Sequence, residues 1–138
     1  MKLTDGGLET VLLFEEGIDL PHFAAFPLVD TDEGRTALRR YYTSFLELAR
    51  DRAVPLVLSA PTWRASSDWG RLLGYEDGDL AAVNRRAVTL VEAVRDDALE
   101  MGNRVIRATG ECVDFPDGEI DKEPASFFAV GHVGECLE

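Results

Sequence analysis

Cysteine, lysine and long apolar runs are what this sequence has least of. Its two cysteines, Cys112 and Cys136, are too few for a disulfide framework, so we expect both to be reduced thiols. Its apolar stretches are shorter than the roughly 18 residues that a membrane-spanning helix needs, and its amino terminus lacks the pattern of a secretory signal. These shortages predict a cytoplasmic protein rather than a membrane or secreted one.

Positive charge is also in short supply. The chain carries 26 acidic and 14 basic residues, for a formal charge of −12, and its only lysines are Lys2 and Lys122. Because this field repels phosphate backbones and anionic lipid head groups, we expect neither nucleic acid nor a membrane as a partner. The remaining composition, 46% hydrophobic over 138 residues, is typical of one packed globular domain.

The hydrophobic pattern predicts short strands that alternate with helices. Apolar residues recur at helical spacing after Asp32 and after Asp79, and aspartate is a favoured helix cap. The run from Val54 to Ala60 is almost continuously apolar, as in a strand covered on both faces of a parallel sheet. The pattern predicts strands over 2–5, 54–60 and 105–109 and helices over 8–16, 33–52, 68–73 and 80–101, the last two capped by Ser67 and Asp79. This order is typical of an α/β domain.

Two motifs lie where the first two predicted strands end. TDGGLET spans Thr4 to Thr10, and APTWRASSDWGRLLGY spans Ala60 to Tyr75. The motifs and their separation resemble the homocysteine S-methyltransferase family over about the first hundred residues, and Asn84 and Arg85 also stand in a family-like context. The resemblance implies the amino-terminal βα units of a partial (β/α)8 TIM barrel, with homocysteine bound at the carboxyl ends of the strands.

The first motif is suited to holding an amino acid even without the resemblance. Gly6 and Gly7, between a strand and a helix, let backbone N–H groups approach a carboxylate closely, and Asp5 can receive an ammonium group. The alternative is a tight turn that needs glycine only to change direction.

The second motif supplies the rest of the implied pocket. By the resemblance, Thr62, Trp63 and Arg64 follow the second strand and enclose the homocysteine. Some relatives carry a tyrosine where Arg64 stands, and Trp63 can equally pack in the core. The predicted substrate-binding residues are Asp5, Gly6, Gly7, Thr62, Trp63 and Arg64.

The resemblance implies a catalytic zinc, but the sequence lacks the cysteine motifs that hold this zinc in the family. In the family, three cysteine thiolates on an Asn-Cys pair and a Gly-Gly-Cys-Cys turn hold the zinc, and neither motif occurs in this sequence. His132 and Cys136 have a spacing compatible with zinc, but Cys112 lies far upstream and no Cys-x2-Cys pair accompanies them. We therefore predict that this chain alone binds no zinc and holds neither a catalytic residue nor a metal site.

These observations divide the chain and set the functional expectation. We predict that residues 1–102 form the amino-terminal part of a homocysteine-binding barrel and that residues 103–138 form a divergent, irregular tail. The expected function is that of a truncated homocysteine S-methyltransferase-like protein, in a family that methylates homocysteine to methionine. It would bind homocysteine or a related thiol amino acid and need a complementary barrel half for activity. The alternatives are a non-catalytic α/β module that self-associates through open sheet edges and a degenerate gene product.

Overall fold

The computed structural model describes residues 1–101 and the backbone of residues 105–109. In chain order the strands and α-helices are β1 (Leu3–Thr4), α1 (Leu8–Thr10), α2 (Asp32–Asp51), β2 (Leu56–Ser59), α3 (Ser67–Leu72), α4 (Asp77–Glu100) and β3 (Val105–Thr109). The short helix α1 continues as a π-helical turn, Val11–Glu15, and two 3-10 turns, Pro21–Phe23 and Phe26–Asp30, precede α2.

The prediction of a partial (β/α)8 barrel is wrong. Helices make up 65% of the described part of the chain, and the described residues form one small parallel sheet, ordered β1-β2-β3, with strands of two, four and five residues. A barrel needs strands long enough to tilt around an axis and to fill its interior. Among the described buried hydrophobic residues, only Leu56 and Leu58 lie in a strand. The described part of the chain is therefore mostly helical and is built on a small sheet.

Helix α2 is confirmed, one residue earlier at each end than the sequence predicts. Thr31 caps it rather than Asp32, because the Thr31 Oγ1 accepts a hydrogen bond from the Gly34 N–H at 3.0 Å. The predicted apolar face is largely buried, but Leu48 is 41% exposed. This face packs α2 against β2 and α4.

Gly34 lets α2 lie directly against the backbone of the preceding 3-10 turn. A Cβ atom at this position would lie 2.2 Å from the carbonyl oxygen of Leu28, so only glycine fits without a backbone shift. The adjacent Arg35 donates a hydrogen bond to the Val29 carbonyl at 2.7 Å. The segment that leads into α2 is thereby fixed against it.

Strand β2 is the central strand and is shorter than the predicted 54–60. Leu56 pairs with Leu3 of β1 on one side and with Val105 of β3 on the other, both in parallel. Because parallel strands in register end at the same edge, the residues after β1 and after β2 lie side by side. This pairing brings the two sequence motifs together.

Helix α4 begins two residues before the predicted cap Asp79, with Glu76 at the N-cap position. Its buried face contacts α2, β2 and α3 and consists of Leu80, Val83, Ala87, Leu90, Val91, Val94 and Ala98. The predicted stop at Gly102 and Asn103 lies outside the described residues.

Strand β3 confirms the third predicted strand, Val105–Thr109. Residues 110–138, which hold Cys112, His132 and Cys136, lie outside the described residues, as does most of the predicted tail. Of the helices that the structure describes, none combines the length and apolar character that crossing a membrane requires.

Candidate functional site

A cavity of about 380 Å³ opens where the carboxyl ends of β1 and β2 meet. Its walls include residues 5–10, which form the glycine turn and α1, and residues 59–61, at the end of β2. Phe23, Tyr41 and Trp63 supply aromatic walls from three other segments. Of the predicted site residues, Asp5, Gly6, Gly7 and Trp63 line the cavity.

Asp5 is the residue that joins the two strand ends. Its Oδ1 accepts a hydrogen bond from the Ser59 backbone N–H at 2.7 Å. Burial raises the pKa of the Asp5 carboxyl above its usual value, although the hydrogen bonds from Ser59 and Tyr41 oppose this effect. The cavity therefore contains a half-buried carboxyl group whose ionised form is disfavoured by burial and partly stabilised by these hydrogen bonds.

Tyr41 reaches the cavity from α2 and holds the glycine turn. Its hydroxyl donates a hydrogen bond to the Gly6 carbonyl at 2.9 Å and lies 3.4 Å from the Asp5 Oδ2. Burial, followed by the nearby charge of Asp5, raises the Tyr41 pKa. The phenol therefore stays protonated and acts as a hydrogen-bond donor.

The two glycines of the turn differ in what their backbone requires. Gly7 has φ +72, in the left-handed region that favours glycine, and stands at the N-cap position of α1. Gly6 does not have a left-handed φ, and a Cβ added to it would meet nothing within 4 Å. The turn therefore explains Gly7 but gives no reason for Gly6.

Trp63 and Phe23 form one aromatic wall of the cavity. Their ring centroids lie 5.9 Å apart at an interplanar angle of 88°, which is the favoured edge-to-face arrangement. Trp63 is half-buried, so the indole is neither a core side chain nor free in solvent. Sequence reasoning leaves its role open, and the structure places it at the cavity.

Thr62 does not line the cavity, although the resemblance implies that it encloses the ligand. It is 2% exposed; its backbone N–H donates to the Ala60 carbonyl at 2.8 Å, and its own carbonyl accepts from the Ala65 N–H at 2.9 Å. Asn84 holds the same loop from α4, because its Nδ2 donates to the Ala65 carbonyl at 3.0 Å. Thr62 and Asn84 therefore shape the loop that carries Trp63.

Arg64 also does not line the cavity. Its guanidinium carbon lies 4.5 Å from the ring centroid of Trp63 and 4.2 Å from that of Trp69. Burial lowers the pKa of Arg64, and the charge of Glu9 opposes this shift. Its guanidinium also donates to the carbonyl of His22, so it links two loops behind the aromatic wall.

The cavity lining combines negative charge with aromatic faces. Among the described residues that line it, Asp5 and Glu9 are acidic and none is basic, while Phe23, Tyr41 and Trp63 present aromatic rings. Carboxylates and aromatic faces both attract cations. The lining is therefore suited to a ligand with an ammonium group and an apolar side chain.

Phe23, Tyr41 and Ser59 are among the cavity-lining residues that sequence reasoning misses. Phe23 lies in a segment without periodicity, and Tyr41 counts there only as part of the buried face of α2. One signal was available for Tyr41, because a buried tyrosine usually directs its hydroxyl to a partner. Another was available for Ser59, a polar residue near the end of an apolar strand.

The donor set of the described residues does not fit the zinc that the resemblance implies. In residues 1–101, no group of three or more His, Cys, Asp or Glu side chains is arranged to hold a metal ion. Both cysteines of the chain fall outside that range. A zinc ion held by three thiolates therefore has no ligands in this part of the chain.

Comparisons of the chain with protein-family profiles, with curated proteins and with solved structures give no significant match. The likeness to homocysteine S-methyltransferases therefore rests on the two sequence motifs. What the structure adds is the position of those motifs around one cavity.

Proposed function

We propose that this chain binds homocysteine, or a related thiol amino acid, in the cavity at the ends of β1 and β2. On this proposal it is the substrate-binding part of a homocysteine S-methyltransferase-like protein and does not transfer a methyl group by itself. The proposal requires the two motifs to share one site, but it does not require a barrel.

The observation that supports the proposal most is the meeting of the two motifs. Gly6 and Trp63 lie far apart in sequence, and both line the same cavity. The parallel pairing of β1 with β2, in which Leu3 pairs with Leu56, accounts for this approach. A glycine turn that served only to change the chain direction would have no need of the second motif.

Asp5 is the proposed partner of the ligand's ammonium group. An ionised carboxylate accepts up to about four hydrogen bonds, and the contacts with Ser59 and Tyr41 leave room for more. Burial raises the pKa of Asp5, and a bound ammonium group would favour the ionised form again. Ligand binding would thus offset the cost of holding a carboxylate in this cavity.

The aromatic wall is the proposed contact of the ligand's side chain. Sulfur packs favourably against aromatic rings at a separation of about 5 Å. Trp63 and Phe23 present such rings on the cavity. A short thiol side chain suits this wall better than a negatively charged one, because no basic residue is among the described residues that line the cavity.

The same lining argues against methyl transfer by this chain alone. A free thiol has a pKa near 8.5, so only about 3% of it is thiolate at pH 7. The nearby carboxylates of Asp5 and Glu9 disfavour the additional negative charge of a thiolate. The site is therefore suited to binding the thiol but not to activating it.

Isothermal titration of homocysteine into the purified chain, with a phosphine reductant, tests this proposal. We expect binding at one site, and we expect Asp5→Asn to weaken it by about 10-fold or more, since a hydrogen bond to a charged group contributes roughly 1.5–3 kcal/mol. Asp96→Asn is the matched control, because Asp96 is a surface residue whose carboxylate contacts Arg95.

Two results would count against the proposal. Wild-type protein that does not bind homocysteine, or Asp5→Asn protein that binds it as tightly as wild type does, would rule out the assigned site. A purified chain that binds stoichiometric zinc and methylates homocysteine would contradict the statement that it is inactive alone.

A self-associating, non-catalytic module is the second candidate. Phe14 is 74% exposed, and β1 lies at an edge of the described sheet, where unpaired backbone groups can pair with another chain. Sedimentation velocity would distinguish the candidates, because a stable dimer without affinity for any thiol amino acid favours this one.

The cellular setting is part of the proposal. Two cysteines in the whole chain are consistent with a reducing cytoplasm, where thiols persist. The formal charge of −12 opposes association with nucleic acid and with anionic membranes. The proposed partners are therefore a small amino acid and a second polypeptide.

A further inference from the structure

The guanidinium group of Arg64 lies between the two tryptophans of the chain. Its central carbon is 4.5 Å from the Trp63 ring centroid and 4.2 Å from the Trp69 ring centroid. Both distances fall within the range of about 6 Å over which a cation and an aromatic face attract each other. The planar guanidinium can stack on a ring in a way that an ammonium cannot.

The same guanidinium ties this loop to the segment around Phe23. It donates a hydrogen bond to the His22 carbonyl, and the His22 ring lies 6.1 Å from the Trp69 ring, centroid to centroid. Phe23 in turn packs its edge against Trp63. Arg64 therefore contacts both segments that provide the aromatic wall of the cavity.

The backbone at this junction is strained. Arg64, His22 and Phe23 have φ values of 64, 55 and 56, in the left-handed region that non-glycine residues rarely adopt. Such conformations persist where surrounding contacts hold them, and they cluster at functional sites. The contacts of Arg64 are positioned to hold this one.

We propose that Arg64 is a positioning residue that fixes Trp63 as the cavity wall and so sets the preference for a sulfur-containing side chain. This inference rests on the proposed function, because it concerns the same cavity. It replaces the direct ligand contact that the resemblance implies for Arg64, since Arg64 stands behind the wall. Removing the guanidinium leaves Trp63 without its cationic partner and Phe23 without the link through His22.

Tryptophan fluorescence provides a selective test, because the chain has two tryptophans and both contact Arg64. We expect Arg64→Gln to increase quenching by acrylamide and to weaken homocysteine binding by about 5-fold, the effect of one cation–π contact. Binding of homoserine, which has oxygen in place of sulfur, should change less, so the preference ratio falls. A general loss of structure would weaken the binding of homocysteine and of homoserine by the same factor.

Two further variants complete the experiment. Arg64→Lys keeps the charge but not the planar stack, so we expect a preference between those of wild type and Arg64→Gln. Arg71→Gln is the matched control, because Arg71 contacts Asp68 and the Ser67 carbonyl at the surface of α3. It should leave both quenching and the preference ratio unchanged.

The outcomes separate this inference from the proposed function. The positioning role is overturned if quenching is unchanged in Arg64→Gln, or if quenching increases but the preference ratio stays the same. Homocysteine binding by the wild type would still uphold the proposed function in either case. Wild-type protein that binds neither ligand overturns both. Increased quenching together with a lower ratio supports the inference.

Discussion

The Asp5 carboxylate accepts a hydrogen bond from the backbone N–H of Ser59 at 2.7 Å, so the residue after β1 is joined directly to the last residue of β2. The side-chain oxygen of Asp5 takes the place of the backbone carbonyl that a longer β1 would offer to the Ser59 N–H. This hydrogen bond also holds the carboxylate at the edge of the cavity. One side chain thus completes the sheet and provides the charge of the proposed site.

The two glycines of the turn should respond differently to alanine. Gly7→Ala should lower the free energy of unfolding by about 1 kcal/mol, because its φ of +72 is unfavourable for alanine. Gly6→Ala should leave stability within about 0.5 kcal/mol of wild type, because its Cβ meets nothing within 4 Å. Its methyl group should nevertheless obstruct the ligand and weaken homocysteine binding. Urea denaturation and calorimetry on both variants measure these effects, and equal destabilisation by the two would indicate that the turn alone requires both glycines.

Gly34→Ala should destabilise the protein by about 2 kcal/mol or more, because its methyl group would collide with the Leu28 carbonyl oxygen. Gly78→Ala is the control. Gly78 lies in the first turn of α4, and its added Cβ meets nothing within 4 Å, so stability should stay level or rise by up to about 1 kcal/mol. Thermal and urea unfolding compare the two, and a neutral Gly34→Ala would contradict the close contact between α2 and the preceding turn.

The pH dependence of stability should carry a contribution from Asp5. Burial raises the pKa of this carboxyl in the folded protein above its usual value of 3.8, so the folded state binds the proton more tightly than the unfolded state does. The stability that protonated Asp5 contributes to the folded state is therefore fully present below the pKa of the unfolded state. It is lost as pH rises through the pKa of the folded state. Asn cannot ionise, so Asp5→Asn should gain stability relative to wild type across that window. Urea denaturation over a pH series tests this, with Asp96→Asn as the control, and a difference that stays constant with pH would disagree with it.

Homocysteine binding should weaken as pH falls through the Asp5 pKa, because the ammonium group requires the ionised carboxylate. The affinity should decrease by up to 10-fold for each pH unit below that pKa. Calorimetry from pH 7 downward measures the trend, and at low pH wild type should approach the affinity of Asp5→Asn. An affinity that does not change with pH would exclude Asp5 as the partner of the ammonium group.

Tyr41→Phe should lower the free energy of unfolding by about 1 kcal/mol, because it removes the hydrogen bond to the Gly6 carbonyl. It should also weaken homocysteine binding, because the glycine turn and Asp5 lose their common donor. Tyr75→Phe is the control: it removes an exposed hydrogen bond to Asp30, away from the cavity. Affinity that falls equally in both variants would argue against a specific role for Tyr41.

The long helices could be predicted from sequence because their signals are local. The recurrence of apolar residues such as Leu38 and Tyr42 at helical spacing defines the buried face of α2 within a few turns of chain. The exact cap residues could not be predicted from sequence, because capping depends on backbone angles as well as on residue type. Thr31 and Asp32 are both good caps by type, and only the extended φ and ψ of Thr31 make it the one that accepts the bond.

The extent of the sheet depended on tertiary structure. The apolar run from Val54 to Ala60 indicates a buried strand, but pairing with neighbours limits β2 to Leu56–Ser59. The glycine turn and the Trp63 loop resemble parts of a barrel protein, yet short motifs do not fix how many strands assemble around them. The barrel prediction was wrong for this reason.

The sequence by itself determined the helices, the position of the strands along the chain and the chemistry available in the two motifs. Only the tertiary structure decided that Asp5, Gly6 and Trp63 share a cavity, while Thr62 and Arg64 stand behind its wall. It also brought in Tyr41 from α2. The physical reason is that hydrophobic periodicity and capping act over a few residues, whereas a cavity forms from segments that meet through strand pairing and side-chain packing.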